Sequence, residues 1–325
     1  MFTVMALCEV IIPYYQRKPG LLARAISSVF AQGIDDVRVI VIDDGSPHPA
    51  RYDLDTLPEI QRPRITLVEQ RNQGATCARN RALETTSIDA GFVALLDSDD
   101  EWAPGHLARA INTLRRPGAT LFYSLVEADE SFSESYSRPS AILPVGLLKP
   151  VAGTSSLSRI TDPYRLLSGE WFRHMHLSVT VLKGELARKV RFNPSFSVAE
   201  DFQFFFACAC EGGDWYVDET VGARRGTGEN IWHGIGPAEL RYSQEKFFSA
   251  KVLSEILRQP NLASEARAEA RQRLNIYREQ FYWAQRSRLT EGKGLNFDLW
   301  ARFFKNDPGL AGFLAGRVFP RGNTS

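Results

Sequence analysis

The chain has little cysteine. Only Cys8, Cys77, Cys208 and Cys210 occur in 325 residues. They form no CxxC pair and no zinc-ligand spacing. A chain of this length has no need of disulfide staples, so the four read as small buried apolar residues in a reducing compartment. Cys208 and Cys210, two apart on a helix, point to different faces and are poor partners for one metal. An excess of one charge is also missing, since 39 Lys+Arg face 38 Asp+Glu for a net charge of +1. That balance leaves no global basic field for nucleic acid and no acidic tail, so any charged partner must be met by a local patch. Long hydrophobic runs are absent too. The longest, Phe202 to Cys210, is broken by Gln203 and falls far short of the ~20 residues needed to cross a bilayer. The apolar start, Met1 to Cys8, carries no basic region and no cleavage pattern. It is expected to belong to the fold, with a cytoplasmic location. No internal repeat and no low-complexity tract is found.

What is present is globular. Hydrophobic residues make up 44 % and charged residues 24 %, which supports one large α/β domain or two smaller ones. The first hundred residues alternate strand and helix. Glu9 to Pro13 is a short strand, and Val37 to Ile42 is a nearly continuous Val/Ile run of the kind that parallel strands buried on both faces require. Arg64 to Glu69 and Phe92 to Leu96 read as two further strands. Between them, Leu21, Leu22, Ala25, Ile26, Val29 and Phe30 recur at helical spacing, Ala75 to Glu84 is helical, and Leu107, Ile111 and Leu114 mark a helix opened by Pro104. This alternation predicts a doubly wound α/β half. Ligands of such sheets sit beyond the carboxyl ends of the strands. From about Gly118 to Gly236 the pattern is irregular, as for an acceptor-side region hung on the sheet. From Pro237 onward helical composition dominates.

Two acidic clusters stand at strand ends. Asp43-Asp44 closes the Val39–Ile42 run, and a carboxylate there can accept a hydrogen bond from a ring N–H such as the imide of uracil. A turn and helix cap would use the same residues. Asp97-Ser98-Asp99-Asp100 follows the strand ending at Leu96. Three carboxylates in four residues repel one another unless a cation neutralises them, and hard oxygen ligands suit Mg²⁺ or Mn²⁺ carrying a diphosphate. The stretch Asn72-Gln73-Gly74 to Arg79-Asn80 joins a strand to a helix. Its arginine faces the nucleotide cleft or pairs with the acidic turns.

These pieces resemble the family 2 glycosyltransferases. The resemblance rests on Val10 to Tyr15, Val41 to Ser46, Asn72 to Leu83 and Leu95 to Asp100, in matching order and spacing over roughly the first 120 residues. It implies the GT-A fold: a Rossmann-like mixed α/β sheet that binds a nucleotide sugar, flanked by helices and followed here by a C-terminal helical extension. The stretches from Pro13 to Gln32, Val198 to Phe202 and Arg225 to His233 are further similar to the succinoglycan-type glucosyltransferases of bacterial exopolysaccharide assembly. Those enzymes add glucose from UDP-glucose to a lipid-linked oligosaccharide on the inner membrane. The expected organisation is a nucleotide-sugar-binding half over residues 1–120, an acceptor-side half of the same catalytic domain over 121–240, and a helical extension over 241–325.

The resemblance also implies roles. Pro13 and Tyr15 wall the nucleobase, with Tyr15 stacking on it. Asp44 reads uracil, and Arg79 stands beside the donor. Asp97 lies near the ribose, Ser98 occupies the middle of the DxD, and Asp99 holds the metal. Asp201, in a Glu200-Asp201 element, resembles the family's acceptor-side acid. An inverting transfer needs one base to take the acceptor hydroxyl's proton as it attacks the anomeric carbon. Glu200 is the alternative base or an acceptor-positioning group, and both acids also suit the start of a helix. His233, after a glycine-bearing loop, resembles a late histidine that reaches the metal or diphosphate. Arg224 and Arg225 are candidates to neutralise the leaving diphosphate, with a surface salt bridge as the alternative. His174 and His176 flank Met175; a place in the core or on the surface is expected for them, with the lining of the acceptor groove as the alternative.

Residues 265–293 carry seven Lys/Arg against four Glu, interleaved with Phe281, Tyr282 and Trp283. Such a segment can dock peripherally on an anionic leaflet. A helical subdomain packing on the core accounts for it equally well. Two other classes compete with the transferase. A nucleotidyltransferase making sugar nucleotides also pairs an α/β sheet with acidic metal ligands. It should carry a Gly-rich basic signature near the first strand, where this chain has Pro13-Tyr14-Tyr15-Gln16. A non-catalytic scaffold would have no reason to keep Asp44, Asp97, Asp99 and Asp201 together.

Overall fold

The computed structural model describes residues 7–127, 138–169, 174–226 and 235–318. The strands are β1 (Cys8–Tyr14), β2 (Val37–Asp43), β3 (Ile65–Glu69), β4 (Phe92–Leu95), β5 (Glu101–Trp102), β6 (Ala119–Glu127), β7 (Leu148–Pro150), β8 (Leu157–Ile160), β9 (Thr180–Lys183) and β10 (Asp214–Arg224). The helices are α1 (Leu21–Phe30), α2 (Ala50–Leu54), α3 (Ala75–Thr85), α4 (His106–Leu114), α5 (Pro139–Ile142), α6 (Pro163–Ser168), α7 (Gly184–Lys189), α8 (Glu200–Cys210), α9 (Leu240–Leu257), α10 (Ser264–Thr290), α11 (Phe297–Asn306) and α12 (Gly309–Val318). Contacts divide the chain into two compact units. Residues 1–163, 171–194 and 207–229 form the first, and 164–170, 195–206 and 230–325 the second.

The first unit holds one mixed sheet in the order β3-β2-β1-β4-β9-β6-β10-β8-β7, with β5 paired to β10. Strands β3, β2, β1 and β4 run parallel, and β9 is antiparallel to both β4 and β6. Val10, Ile12, Val39 and Val41 are fully buried, with Leu22, Ala25 and Ile26 of α1 in the same core cluster. Each of the Val, Leu and Ile side chains contributes about 1.5–3 kcal/mol. This is why the Val/Ile runs are continuous rather than alternating. The chain leaves β1 toward β2 on one side and β4 on the other, so their carboxyl ends open a crevice where the strand order reverses. Tyr14 lies opposite Asp43 in the β1–β2 register, and Ile11 opposite Leu95 in the β1–β4 register.

The region from Gly118 to Gly236 departs from its irregular reading. It supplies β6, β9 and β10, which form the middle of the sheet. β6 is almost wholly buried, and β10 pairs with it through register shifts. A strand buried on both faces carries no period-2 signal, and a bulged strand breaks any period it has.

Helix starts show how distant residues complete local structure. No side chain of α1 itself caps its N-terminus. The Asp53 carboxylate from α2 takes its place, accepting from the N–H groups of Gly20, Leu22 and Ala23 at 2.9–3.4 Å. That satisfies donors which the helix cannot pair internally.

His106, the first residue of α4, is fully buried, with its Nδ1 3.1 Å from Ser124 Oγ. Burial depresses its pKa to about 3, helped by Arg109 and opposed by Asp218. The unfolded chain therefore binds a proton below pH 6.5 that the folded chain refuses until about 3. Stability falls with acidification across that window by about 1.4 kcal/mol per pH unit from this group. In His106→Asn the amide oxygen can keep the Ser124 contact but takes up no proton. The slope of denaturation midpoint against pH should be shallower in the variant, and equal slopes would show that His106 contributes none of it.

The second unit is helical. Buried Ala266, Ala270, Leu274, Tyr277, Phe281 and Ala284 form one stripe along α10. Phe247 packs on Phe248 at 4.9 Å and on Phe303 at 5.6 Å, and Phe281 meets Phe303 and Trp300 at 4.8 Å. Such aromatic pairs each add about 0.5–1.5 kcal/mol beyond area burial. No helix among the described residues is long and apolar enough to cross a membrane.

Candidate active site

The crevice at the ends of β1, β2 and β4 gathers most of the expected residues. Asp43 and Asp44, equivalent in sequence, do different work. Asp43 accepts from the N–H groups of Ser46 and Ala50, each at 2.8 Å, and so holds the turn into α2. Asp44 is buried and accepts from Gln70 Nε2 at 2.7 Å, Gln73 N at 2.8 Å and Gly74 N at 2.7 Å. It thereby fixes the turn that starts α3, with one acceptor direction of its four left over. Pro13 lies within β1, and Tyr15 just beyond it is 45 % exposed, its ring free for a flat partner. Gln16 Nε2 donates to Ser98 Oγ at 3.0 Å, tying the end of β1 to the aspartate turn.

That turn is the most heavily supported feature of the unit. Arg79 on α3 is buried and donates to Asp97 Oδ1 at 2.8 Å, its guanidinium lying 5.4 Å over the Phe192 ring. Burial opposes ionisation of Asp97, but Arg79 and, less strongly, Arg225 hold its carboxyl below the ordinary value. Burial pushes Asp99 up to about 6, reinforced by Asp100 and Asp97. Asp100 is likewise pushed up to about 6, first by burial and then by Asp97. Ser178 locks the arrangement, its Oγ accepting from Asp97 N at 3.1 Å and donating to Asp100 Oδ2 at 2.6 Å. Its carbonyl accepts from Trp102 Nε1 at 2.6 Å.

His176 belongs here too, contrary to the expectation of a core or surface position. Its Nδ1 accepts from Ser178 N at 3.2 Å and stands 3.8 Å from Asp100 Oδ2. Burial depresses its pKa to about 4 against the pull of Asp97, so the ring is neutral at pH 7, and a cation would have to take the Nδ1 lone pair in place of the Ser178 N–H. One ligand atom each from Asp97, Asp100 and His176 lies within 4.8 Å of the others. Asp99 stands beside this trio in the same turn. Two carboxylates that ionise only above their usual range, next to a neutral imidazole, fit a hard divalent cation. His174 does follow expectation, since it is buried against Tyr123 Oη at 2.9 Å.

The other expected residues are placed as follows. Arg224 pairs with Glu127 at 2.7 Å on the surface, while Arg225 acts on Asp97 and Asp100. His233 lies outside the described residues. Glu200 and Asp201 belong to the second unit, in the first turn of α8. Asp201 Oδ1 accepts from Phe202 N at 2.7 Å. Just before them Ala199 has φ +57, and it is the only non-glycine residue with positive φ among those described. A left-handed alanine costs about 1–2 kcal/mol, and such strain concentrates at functional positions.

Gly226 shows how tightly the turn is enclosed. Its N–H donates to Asp100 Oδ1 at 3.0 Å, and a Cβ built on it would fall on the Asp99 carbonyl oxygen. Backbone meets backbone there, so neither side can yield cheaply. Gly226→Ala should displace the aspartate turn and cost about 10²-fold in turnover, the usual effect of an ångström of misplacement. Near-normal turnover in that variant would mean the loop gives way without moving the turn.

The fold and the acidic turn at its reversal point are those of a nucleotide-sugar transferase of GT-A architecture. The model of glycosyl transferase family 2 matches residues 9–178, and the chain belongs to that family. It is 33 % identical over 318 residues to the succinoglycan biosynthesis protein ExoW of Rhizobium meliloti strain 1021, covering 96 % of this chain and 97 % of that one. It is 31 % identical over 159 residues to the UDP-Glc:alpha-D-GlcNAc-diphosphoundecaprenol beta-1,3-glucosyltransferase WfgD of Escherichia coli, covering 48 % and 60 % of the two chains. Among solved structures it is similar to the mannosyltransferase PcManGT of Pyrobaculum calidifontis in complex with GDP-Man and Mn²⁺. That match has a TM-score of 0.59 and 15 % identity, and covers 98 % of this chain and 88 % of the other. The chain is therefore a glycosyltransferase of polysaccharide biosynthesis.

Proposed function

We propose that the protein transfers glucose from UDP-glucose to a lipid-linked oligosaccharide in exopolysaccharide assembly, inverting the anomeric centre to form a β-linkage. The observation that carries this reading is the aspartate turn, Asp97 to Asp100, placed with Asp44 where the sheet's strand order reverses. The choice of glucose and of a lipid-linked acceptor is supported by the likeness to WfgD, and the place in exopolysaccharide assembly by the likeness to ExoW, a succinoglycan biosynthesis protein. Tyr15 and Pro13 wall the uracil, Asp44 accepts from its imide, and Arg79 orders Asp97 at the ribose side. Ser98 anchors the turn through Gln16.

Mg²⁺ or Mn²⁺ binds at the turn, where Asp99 and His233 are the ligands implied by the family resemblance. Asp97, Asp100 and His176 are the donors that converge among the described residues. The chemistry a cation would supply if held there is neutralisation of the leaving diphosphate. Asp201 takes the proton from the acceptor hydroxyl. Peripheral contact with the cytoplasmic membrane suits the exposed Trp283, Phe297 and Phe304 of the helical unit. The test is UDP release from a panel of UDP-hexoses with a diphospholipid-linked sugar acceptor, with Mg²⁺, Mn²⁺ or chelator. UDP-glucose is expected to be turned over only with metal. Equal turnover in chelator removes the metal from the reading, and preference for another hexose removes glucose.

A further inference from the structure

The helical unit contains a cavity of about 450 Å³ between the end of α9, the middle of α10 and the junction of α11 with α12. That volume is in the range of small-ligand sites. Leu257, Leu274 and Pro308 contribute its apolar surface, and three arginines line it: Arg258, Arg271 and Arg278. The only acid in the lining, Asp307, is already committed. It accepts from Arg278 Nε and Nη2, both at 2.6 Å. Arg278 Nη1 donates to Asn275 Oδ1 at 2.7 Å, so this guanidinium is held rigid from two sides. Gly309 permits the approach, since a Cβ there would collide with Arg278 Nη2.

The other two arginines have no salt-bridge partner among the described residues. Arg258 Nη2 donates to the Asn306 carbonyl at 2.9 Å, a bond that orients the group without supplying a counter-charge in contact with it. Glu255, one turn back on α9, has its carboxyl pushed up by burial, with Lys251 and Arg258 pulling the other way. Arg271 has no hydrogen-bond or ion-pair partner among the described residues. The cavity therefore has two guanidinium groups without a salt bridge, a third guanidinium with spare N–H groups, and an apolar side. Guanidinium forks match phosphate oxygens by geometry as well as charge.

From this we propose that the cavity is a binding site for a phosphoryl group. The occupant is the phosphate of an amphiphile or a free phosphate. The site is distinct from the aspartate turn, and the inference does not depend on the transferase reading.

The experiment uses the full chain with chelator present, so that no metal bridges phosphate to the aspartate turn. One arm titrates inorganic phosphate by calorimetry. The other measures co-sedimentation with phosphatidylcholine vesicles containing phosphatidic acid, a phosphate monoester headgroup. The wild type is compared with Arg271→Gln, which breaks no contact, and with Arg258→Gln/Arg271→Gln. Thermal melting confirms that each variant is folded. Loss of one charge-assisted contact should weaken binding about tenfold in the single variant, and the double variant should bind more weakly still. Loss of vesicle retention in the variants, with no binding of free phosphate to the wild type, assigns the site to a lipid headgroup. Arginine-dependent binding of phosphate without vesicle retention assigns it to a soluble ligand, and arginine-dependent binding in both arms supports the phosphoryl site for either source. Binding unchanged by the substitutions, or absent in both arms, overturns the proposal.

Discussion

Asp201→Asn is expected to abolish sugar transfer while UDP binding persists. A positioned general base contributes about 10²–10⁴ in rate, and asparagine has no basic lone pair to replace it. The substitution keeps the size and shape of the side chain. Asp201 Oδ1 accepts from Phe202 N in the first turn of α8, and an amide oxygen can accept the same bond. The variant loses the favourable charge at a helix start, about 0.3–1 kcal/mol, so it should fold. The measurement is kcat with saturating UDP-glucose and acceptor, alongside calorimetric UDP affinity. A fall in kcat at constant UDP affinity places Asp201 on the acceptor side of the reaction. Near-normal turnover sinks the assignment. In that event Glu200→Gln, at the adjacent position in the same turn, is the variant expected to lose activity instead. Equal partial losses in both would point to helix capping as their shared role.

The parts of the site that were legible in sequence are those encoded locally. Val39 to Ile42 followed by Asp43-Asp44, and Phe92 to Leu96 followed by Asp97 to Asp100, each combine a buried parallel strand with a polar end. Both facts are written in consecutive residues. The division of labour between Asp43 and Asp44 was not legible, because it depends on whether Ser46 and Ala50 or Gln73 and Gly74 supply the donors.

His176 and Ser178 were illegible for a stronger reason. They meet Asp100 and Asp97 across about eighty residues of chain, and the segment bearing them has no periodic pattern. The nearest signal was the three-fold acidic turn itself. So many carboxylates at one buried place require donors from elsewhere, and Ser178, Gly226 and Arg79 are those donors. The central strands β6, β9 and β10 were hidden likewise. Antiparallel insertion of β9 between β4 and β6 is a long-range pairing that no local composition encodes.

The pair Arg79–Asp97 offers the second large effect, and it separates structure from chemistry. Asp97 is about a quarter exposed on its side chain and Arg79 is nearly buried, so removing the carboxylate leaves a desolvated guanidinium without its counter-charge. Breaking a buried pair from one side costs about 3–5 kcal/mol. Partial exposure of Asp97 reduces this to about 2–3 kcal/mol for Asp97→Asn, read from denaturant midpoints. Arg79→Met removes the other partner and keeps its stem on the Phe192 ring. The double variant Arg79→Met/Asp97→Asn has neither charge and should recover most of the lost stability, since an apolar replacement of a buried ion pair is often close to neutral. Turnover should behave differently. If Asp97 touches the donor or its cation, both Asp97→Asn and the double variant remain impaired by about 10²-fold or more, however stable the double variant becomes. Recovery of activity together with stability would show that Asp97 serves only as the counter-ion of Arg79. The metal would then be left to Asp99, Asp100 and His176.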